Sequence, residues 1–229
     1  ERALANDYEI EFAFYCEALA SDADRKLLGQ IDTALVYDVS DDLMNKASYR
    51  QNPGGLVAIL RQKPPLTLAD AAQIDAQHSL ALVDLRKPGN IGALLRTADA
   101  AGFGMICLID TALDVYNPNV IRSSTGAIFL PNIVQINTEE ALNFFREQQI
   151  TVVATHLEAT QSPYEFDFMA QRTVIVLGTE DTGLDDLWVN HSDTLLKIPM
   201  LGRLSDSLNV SVSGAVIMYE ALRQRLATH

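Results

Sequence analysis

The chain has 229 residues, 48% of them hydrophobic, and a net charge of −13 from 17 basic and 30 acidic side chains. This composition suits one large domain or two joined domains and excludes an intrinsically disordered protein. No apolar run reaches the roughly 18 residues of a membrane-spanning helix, and no secretory signal peptide is visible. The two cysteines, Cys16 and Cys107, lack the spacing of a metal or redox site. The sequence therefore predicts a cytosolic (cytoplasmic) protein with no metal centre.

The acidic charge argues against a protein that binds nucleic acid over its whole surface, because phosphate binding usually leaves a basic footprint. A local basic cluster can still bind phosphate in an acidic protein. Five basic residues fall in turns or at helix starts and could converge: Arg86, Lys87, Arg96, Arg122 and Arg203. From charge alone, such a cluster and scattered solvated charge remain equal alternatives.

The first 63 residues alternate short strand and helix patterns. Three strands are predicted there, at residues 11–16, 33–39 and 56–61. A helix is predicted at residues 40–47, where Ser40 provides a cap. Pro64 and Pro65 favour extended backbone and interrupt strand pairing. We therefore predict a small N-terminal α/β domain over residues 1–63 and a linker over residues 64–78.

Beyond the prolines, apolar strand patterns alternate with helix patterns. The predicted strands are residues 79–84, 105–109, 133–136, 151–155, 173–177 and 194–198. The predicted helices include residues 91–101, 138–148 and 214–226. Continuous apolar strands between helices are typical of a mostly parallel sheet that is covered on both faces. The sequence thus predicts an α/β fold for a larger domain over residues 79–229.

Polar, glycine-bearing segments follow three of these strands, at residues 87–92, 178–184 and 198–213. In open α/β sheets, ligands bind beyond the carboxyl ends of the strands, where loops expose backbone donors and acceptors. The glycine-rich dinucleotide motif and the phosphate-binding P-loop motif are both absent from the sequence. The three segments together predict a small-molecule pocket of another kind.

These segments resemble, in order and in spacing, the three motifs of the SpoU/TrmH branch of the SPOUT superfamily of RNA methyltransferases. The motifs are Asn–Gly–Arg, then Leu-Gly-x-Glu-x-x-Gly-Leu, then Ile-Pro-Met followed by Ser-Leu-Asn-Val-Ser. The matching residues are Asn90, Gly92 and Arg96; Leu177, Gly178, Glu180, Gly183 and Leu184; Ile198, Pro199, Met200, Ser207, Leu208, Asn209, Val210 and Ser211. The resemblance covers residues 79–226. Residues 1–63 resemble the ribosomal-protein-like domain with which many members bind RNA.

The resemblance implies a C-terminal trefoil knot, a homodimer, and S-adenosylmethionine held in a bent conformation by the knotted loops. It also implies methyl transfer to a ribose 2′-hydroxyl of RNA, with 23S ribosomal RNA favoured over transfer RNA because of the extra N-terminal domain. The implied cofactor contacts are Thr155, Ala154, Gly178, Ile198 and Leu208. The implied catalytic set is Arg96, Asn90, Glu180, Ser207 and Asn209.

The resemblance assigns the role of general base to Arg96, but a guanidinium group stays protonated under ordinary conditions. We therefore favour a role in which Arg96 anchors a neighbouring phosphate and orients the hydroxyl group. Pattern alone permits plainer roles, with Arg96 as a solvent-facing residue, Glu180 as a helix cap, and Ser207 and Asn209 as caps of the last helix. Three other functions stay open: a transfer RNA methyltransferase, a non-catalytic knotted RNA-binding factor, and an enzyme for a small acidic metabolite.

The chain departs from the family pattern at three places. Lys87 stands before Pro88 where Asp or Asn is more frequent, and Asp181 replaces a frequent glycine. The spacer between Gly202 and Ser207 is one residue longer than in common versions.

Overall fold

The computed structural model describes residues 1–48, 53–179, 181–204 and 207–228. The chain divides into two compact units, Glu1–Pro64 and Pro65–His229. None of the described helices combines the length and the apolar character needed to cross a membrane. The described side chains also include no group of three or more His, Cys, Asp or Glu residues that could hold a metal ion.

The first unit contains a small mixed sheet. Its strands are β1 (Ile10–Tyr15), β2 (Val36–Asp38) and β3 (Leu56–Leu60). Its helices are α1 (Arg2–Ala5), α2 (Asp22–Leu28) and α3 (Asp41–Ala47). The central strand β1 is parallel to β2 and antiparallel to β3. Ala13, Tyr15 and Met44 are buried in this unit, which confirms the predicted small α/β fold.

The predicted strand at residues 33–39 is shorter in the structure. Residues Thr33–Leu35 form a 3-10 turn, and β2 begins only at Val36. The Asp32 side chain accepts a hydrogen bond from the Ala34 amide at 3.0 Å. Such local bonding competes with strand pairing, which explains the later start of the strand. The predicted helix at residues 40–47 is confirmed as α3, with Ser40 as its cap.

The second unit contains a six-stranded sheet in the order β6–β5–β4–β8–β7–β9, and every pairing in it is parallel. The strands are β4 (His78–Val83), β5 (Met105–Ile109), β6 (Ile133–Ile136), β7 (Thr151–Thr155), β8 (Thr173–Leu177) and β9 (Thr194–Leu196). The helices are α4 (Leu68–Ala71), α5 (Pro88–Ala101), α6 (Pro118–Ser123), α7 (Thr138–Glu147), α8 (Asp186–His191) and α9 (Val210–Ala227). The predicted parallel α/β fold is confirmed. Because all strands run the same way, the loops after β4, β7, β8 and β9 meet at one edge of the sheet.

Helices cover both faces of this sheet. On one face, Phe144 and Phe145 of α7 and Trp188 of α8 pack in a cluster with side chains of the strands. On the other face, α5 and α9 lie against each other. A Cβ atom at Gly214 of α9 would lie 2.4 Å from Leu94 of α5, so the two helices touch at this glycine. Coverage of both faces explains why the strands are continuously apolar.

Residues 65–78, which lie within the segment predicted as a linker, belong to the second unit. Leu66 forms a parallel bridge with Val134 of β6. Helix α4 starts at a capping box formed by Thr67 and Asp70, and Ala71 is buried in the same cluster as the α7 phenylalanines. The apolar side chains of this segment cover part of the sheet, which a free linker would leave exposed.

Two helices of the second unit begin earlier than predicted. Helix α5 starts at Pro88, whose fixed φ and missing amide suit the first helical position. Helix α9 starts at Val210, because Asn209 caps it. The alternating apolar residues at 208–212 therefore mark a helix start. The last strand, β9, ends at Leu196, earlier than the predicted residue 198, which leaves Ile198 in the following loop.

His78 is a buried histidine at the start of β4. Its Nδ1 atom lies 3.0 Å from the Thr173 hydroxyl oxygen, and its ring contacts Phe103 and Phe168. Burial lowers the pKa of His78 from 6.5 to about 4, and the positive charge of Arg225 adds to this effect. The folded protein therefore holds His78 in its neutral form at pH values where an unfolded chain binds a proton.

We expect the free energy of unfolding to fall as the pH drops from about 6.5 towards 4. The unfolded chain gains a proton at His78 over this range and the folded chain does not, which costs about 2 kcal/mol by pH 5. Urea unfolding at pH 7.5 and pH 5.0 would measure the loss. In a His78→Gln variant, the difference between the two pH values should shrink by about that amount. If the difference in unfolding free energy between the two pH values were unchanged in this variant, the buried neutral His78 would not be its cause.

Candidate cofactor and active site

A cavity of about 460 Å³ opens at the carboxyl edge of the large sheet. It is lined by the ends of β7, β8 and β9, the loops that follow them, and the start of α9. Four of the five predicted cofactor residues line this single cavity: Thr155, Gly178, Ile198 and Leu208. The fifth, Ala154, lies in β7 with its side chain in the hydrophobic core. Two of the three segments singled out in the sequence, residues 178–184 and 198–213, thus meet around one space.

A larger groove of about 920 Å³ lies beside α7 and α8. Several of its polar side chains bond to one another or to the backbone. The Thr138 hydroxyl donates to Asp110 at 2.6 Å, and the Thr151 hydroxyl donates to Gln171 at 2.7 Å. The Asp193 carboxylate accepts from the Val152 amide at 2.7 Å. The smaller cavity is the better ligand site, because four of the predicted cofactor residues line it and none lines the larger groove.

Gly178 allows the loop after β8 to fold back on itself. A Cβ atom at this position would lie 2.4 Å from the carbonyl carbon of Gly183 and 2.5 Å from the amide nitrogen of Leu184. Both are backbone atoms, which cannot move aside without moving the loop. Gly178 is therefore required by the shape of the cavity wall.

Asn90 and Asn209 come together, although they are 119 positions apart in the chain. Asn209 Nδ2 donates to Asn90 Oδ1 at 3.2 Å. The Asn209 Oδ1 atom accepts from the Ser211 amide at 2.9 Å and from the Ser211 hydroxyl at 2.6 Å. Asn209 is therefore the cap of α9, which is one of the two roles suggested by the sequence. It also connects α9 to the first turn of α5.

The first-motif glycine, Gly92, makes room for helix α6. A Cβ atom there would lie 1.9 Å from the Ser123 hydroxyl oxygen and 2.7 Å from the Ser124 amide nitrogen. The Ser123 hydroxyl lies 3.2 Å from the Pro88 carbonyl oxygen and 2.6 Å from that of Asn119. Contact with α6 thus holds the helix start that carries Asn90. Nothing in the sequence pairs Ser123 with Gly92, so this contact was not predicted.

The remaining catalytic candidates are Arg96, Ser207 and Glu180. Arg96 is exposed and makes no hydrogen bond or ion pair within the part of the chain that the structure describes. At about 100° per residue, its side chain points about 240° around α5 from that of Asn90. Ser207 lines the cavity, and Glu180 lies outside the described residues. The cap of the helix after the second motif is Asp185.

Three of the five basic residues expected near the site have acidic or polar neighbours. Arg86 pairs with Asp84 at 2.6 Å, and Arg122 donates to Asn119 at 3.2 Å. Lys87 Nζ lies 4.0 Å from Asp181 Oδ1, so two positions that depart from the family pattern face each other. Both side chains are mostly exposed, and the pair contributes little stability by itself.

An Asn209→Ser variant separates the cap from the contact with Asn90. Serine is a good helix cap but is too short to reach Asn90. We expect nearly unchanged thermal stability, and we expect the rate of the methyl transfer that the family resemblance implies to fall about tenfold or more. Asn209→Ala loses both functions and should also lose about 1 kcal/mol of stability. Equal activity of Asn209→Ser and the native protein would show that the contact is structural only.

Comparison with known proteins assigns the chain to a family. A model of the SpoU rRNA Methylase family matches residues 77–219. The chain belongs to this family. Among its relatives is a 23S rRNA (uridine(2479)-2′-O)-methyltransferase from Streptomyces viridochromogenes, 32% identical over 210 residues, which are 89% of this chain and 72% of that protein.

Two further comparisons support the family assignment. The 23S rRNA (guanosine-2′-O-)-methyltransferase RlmB from Vibrio parahaemolyticus is 32% identical over 203 residues, which are 86% of this chain and 81% of that protein. The crystal structure of the SpoU methyltransferase AviRb from Streptomyces viridochromogenes, in complex with the cofactor AdoMet, is similar with a TM-score of 0.86 at 28% identity. That similarity covers 99% of this chain and 87% of the AviRb chain.

Proposed function

We propose that this SpoU-family chain is an S-adenosylmethionine-dependent RNA ribose 2′-O-methyltransferase that acts on 23S ribosomal RNA. One observation carries the proposal. The loops that contain the second and third motifs line one cavity, and the Asn90–Asn209 contact joins the first motif to the third. The named relatives act on 23S rRNA, which favours ribosomal RNA over transfer RNA and the cytoplasm as the site of action.

The cavity fits S-adenosylmethionine in size and in chemistry. Its volume lies within the range of about 300–1,000 Å³ that is usual for small-molecule sites. Leu177, Leu184 and Leu196 provide apolar wall for an adenine ring, and the loops add backbone polar groups. Asp181 and Glu158 bring negative charge to the lining, which suits the positive sulfonium and ammonium groups. We assign cofactor contacts to Thr155, Gly178, Ile198 and Leu208, and we leave Ala154 out because its side chain is in the core.

The residues of this chain mainly have to orient the RNA. S-adenosylmethionine supplies an activated methyl group when bound. The amide groups of Asn90 and Asn209, together with Ser207 at the cavity, would hold the ribose so that its 2′-hydroxyl faces the cavity. Arg96 would bind the neighbouring phosphate through its planar group of donors. Alignment of this kind accounts for much of the rate of such transfers.

We also propose that the chain acts as a knotted homodimer. Helix α9 exposes three large apolar side chains at intervals of two helical turns, Val212, Tyr219 and Leu226, which are 47%, 51% and 67% exposed. Residues at this spacing share one face of a helix, and an exposed apolar face of this kind suits burial against a second copy. Sedimentation equilibrium should give twice the mass of one chain, and Tyr219→Glu should shift the protein towards the monomer.

A methylation assay tests the proposed function. Purified protein would be incubated with methyl-labelled S-adenosylmethionine and, in parallel, with transcripts of 23S rRNA, 16S rRNA and tRNA. We expect label in 23S rRNA only, in a nucleoside that mass spectrometry identifies as 2′-O-methylated. Label in tRNA instead of 23S rRNA would show that the substrate is transfer RNA. Binding of S-adenosylhomocysteine without methylation of any RNA would instead favour a non-catalytic RNA-binding factor.

A further inference from the structure

The loop after β8 is closed by a group of hydrogen bonds around one threonine. Thr179 and Gly183 form an antiparallel bridge, with amide-to-carbonyl distances of 3.1 Å in both directions. The Thr179 hydroxyl oxygen lies 3.2 Å from the Gly183 carbonyl oxygen and 3.2 Å from the Thr182 amide nitrogen. It also lies 2.8 Å from the Thr182 hydroxyl oxygen. We call this group of bonds between residues 179, 182 and 183 the Thr179 clasp.

The clasp uses the full hydrogen-bonding capacity of the Thr179 hydroxyl group. A hydroxyl has one proton to donate and two lone pairs with which to accept. The proton can go to the Gly183 carbonyl, while the lone pairs accept from the Thr182 amide and the Thr182 hydroxyl. Gly183 has φ +73, in the left-handed region that favours glycine. The Thr179 side chain thus holds the turn at Thr182 and Gly183 against the start of the same loop.

The clasp shapes one wall of the proposed cofactor cavity. Thr179, Thr182 and Gly183 all line that cavity, as do Gly178 and Leu184 at the two ends of the loop. The ends are fixed by burial, since Leu177 is 1% exposed and Leu184 is 7% exposed. Between them, Asp181, Thr182 and Gly183 are exposed, and hydrogen bonds at exposed positions open easily unless a side chain supports them.

We propose that Thr179 is a positioning residue for cofactor binding, in which its hydroxyl group holds the cavity wall in the shape that the cofactor requires. This inference rests on the proposed function, because it assumes that the cavity binds S-adenosylmethionine. Thr179→Val removes the hydroxyl group and nearly preserves the shape of the side chain. Thr179→Ser keeps the hydroxyl group. Thr182→Val is the matched control, because it removes only one of the three hydroxyl contacts.

We expect Thr179→Val to weaken S-adenosylhomocysteine binding about tenfold by titration calorimetry. The KM for S-adenosylmethionine should rise by a similar factor, with kcat within about twofold of the native value. Thr179→Ser should restore binding, and Thr182→Val should weaken it by about threefold or less.

Amide hydrogen exchange in the cofactor-free protein separates positioning from direct contact. In Thr179→Val, the Thr182 amide loses its acceptor and should exchange about tenfold faster, while the amides of β8 keep their native rates. Faster exchange together with weaker binding supports the inference. Weaker binding with unchanged exchange would mean direct contact with the cofactor and would overturn it, as would unchanged binding. If the native protein binds no S-adenosylhomocysteine, the proposed function itself fails.

Discussion

A Gly178→Ala variant is expected to lose cofactor binding. The added Cβ atom would lie 2.4 Å from the Gly183 carbonyl carbon, so the loop must move away from the end of β8. We expect the affinity for S-adenosylhomocysteine to fall by about a hundredfold or more and the protein to lose about 2–4 kcal/mol of stability. Titration calorimetry and urea unfolding would measure the two effects.

Gly29→Ala provides a control for the glycine substitution itself. Gly29 has φ −64, which any residue can adopt, and a Cβ atom there would meet nothing closer than 3.6 Å. We expect native affinity and equal or slightly higher stability in this variant. If Gly178→Ala bound S-adenosylhomocysteine within a few-fold of the native protein, the cavity at the end of β8 would not be the cofactor site.

An Arg96→Ala variant is expected to fold normally and to lose methyl transfer. Arg96 is exposed and makes no bonds with described residues, so its removal should leave stability and S-adenosylhomocysteine affinity unchanged. We expect kcat to fall by about a hundredfold or more, because the RNA phosphate loses its anchor. Arg96→Lys keeps the charge without the planar donors and should be intermediate. Single-turnover assays with saturating RNA would measure both.

Arg146→Ala is the matched control for Arg96. Arg146 is also an exposed helix arginine, but it lies on α7 beside the larger groove. Native activity in this variant would exclude a general effect of lost positive charge. A near-normal kcat for Arg96→Ala would show that Arg96 has no role in the site. Near-normal turnover of Arg96→Lys would show that the planar donor group is not needed to position the RNA.

Mixed dimers would reveal which chain supplies Arg96, given the proposed homodimer. Arg96 and the Asn90–Asn209 pair point to different sides of α5, so the two groups could serve one site from different subunits. In that case, equal amounts of Arg96→Ala and Asn209→Ala chains would be mixed and allowed to reassociate. About half of the dimers would then contain one chain of each kind, and each of these would have one intact site out of two. The mixture should therefore recover about a quarter of native activity. If all the residues of a site come from one chain, the mixture stays inactive.

The strands of the larger unit could be predicted closely from the sequence. Residues 105–109, 133–136, 151–155 and 173–177 match β5, β6, β7 and β8 residue for residue. Continuous apolar runs of this length report burial on both faces, which is a local property of the chain. The starts of helices and strands were predicted less closely where a capping residue or a turn sets the boundary, as at Asp32, Pro88 and Asn209.

The candidate site could be predicted as a set of residues but not as an arrangement. The motifs pointed to Gly178, Ile198 and Leu208, and these line one cavity. The motifs did not indicate that Ser123 and Gly92 touch, or that the Thr179 hydroxyl closes the second loop. Such contacts depend on side-chain distances of a few tenths of an ångström. Periodicity carries no information on that scale.

The sequence by itself determined the parallel α/β fold, the small first unit and the family of this protein. Burial patterns and glycine-bearing motifs are local signals, because each depends on residues that are close together in the chain. Only the tertiary structure decided that Asn209 meets Asn90 and that residues 65–78 cover the sheet. A helix pattern identifies which face is buried, but the partner that buries it comes from a distant part of the chain. The register of the parallel strands is what brings those distant parts to one edge.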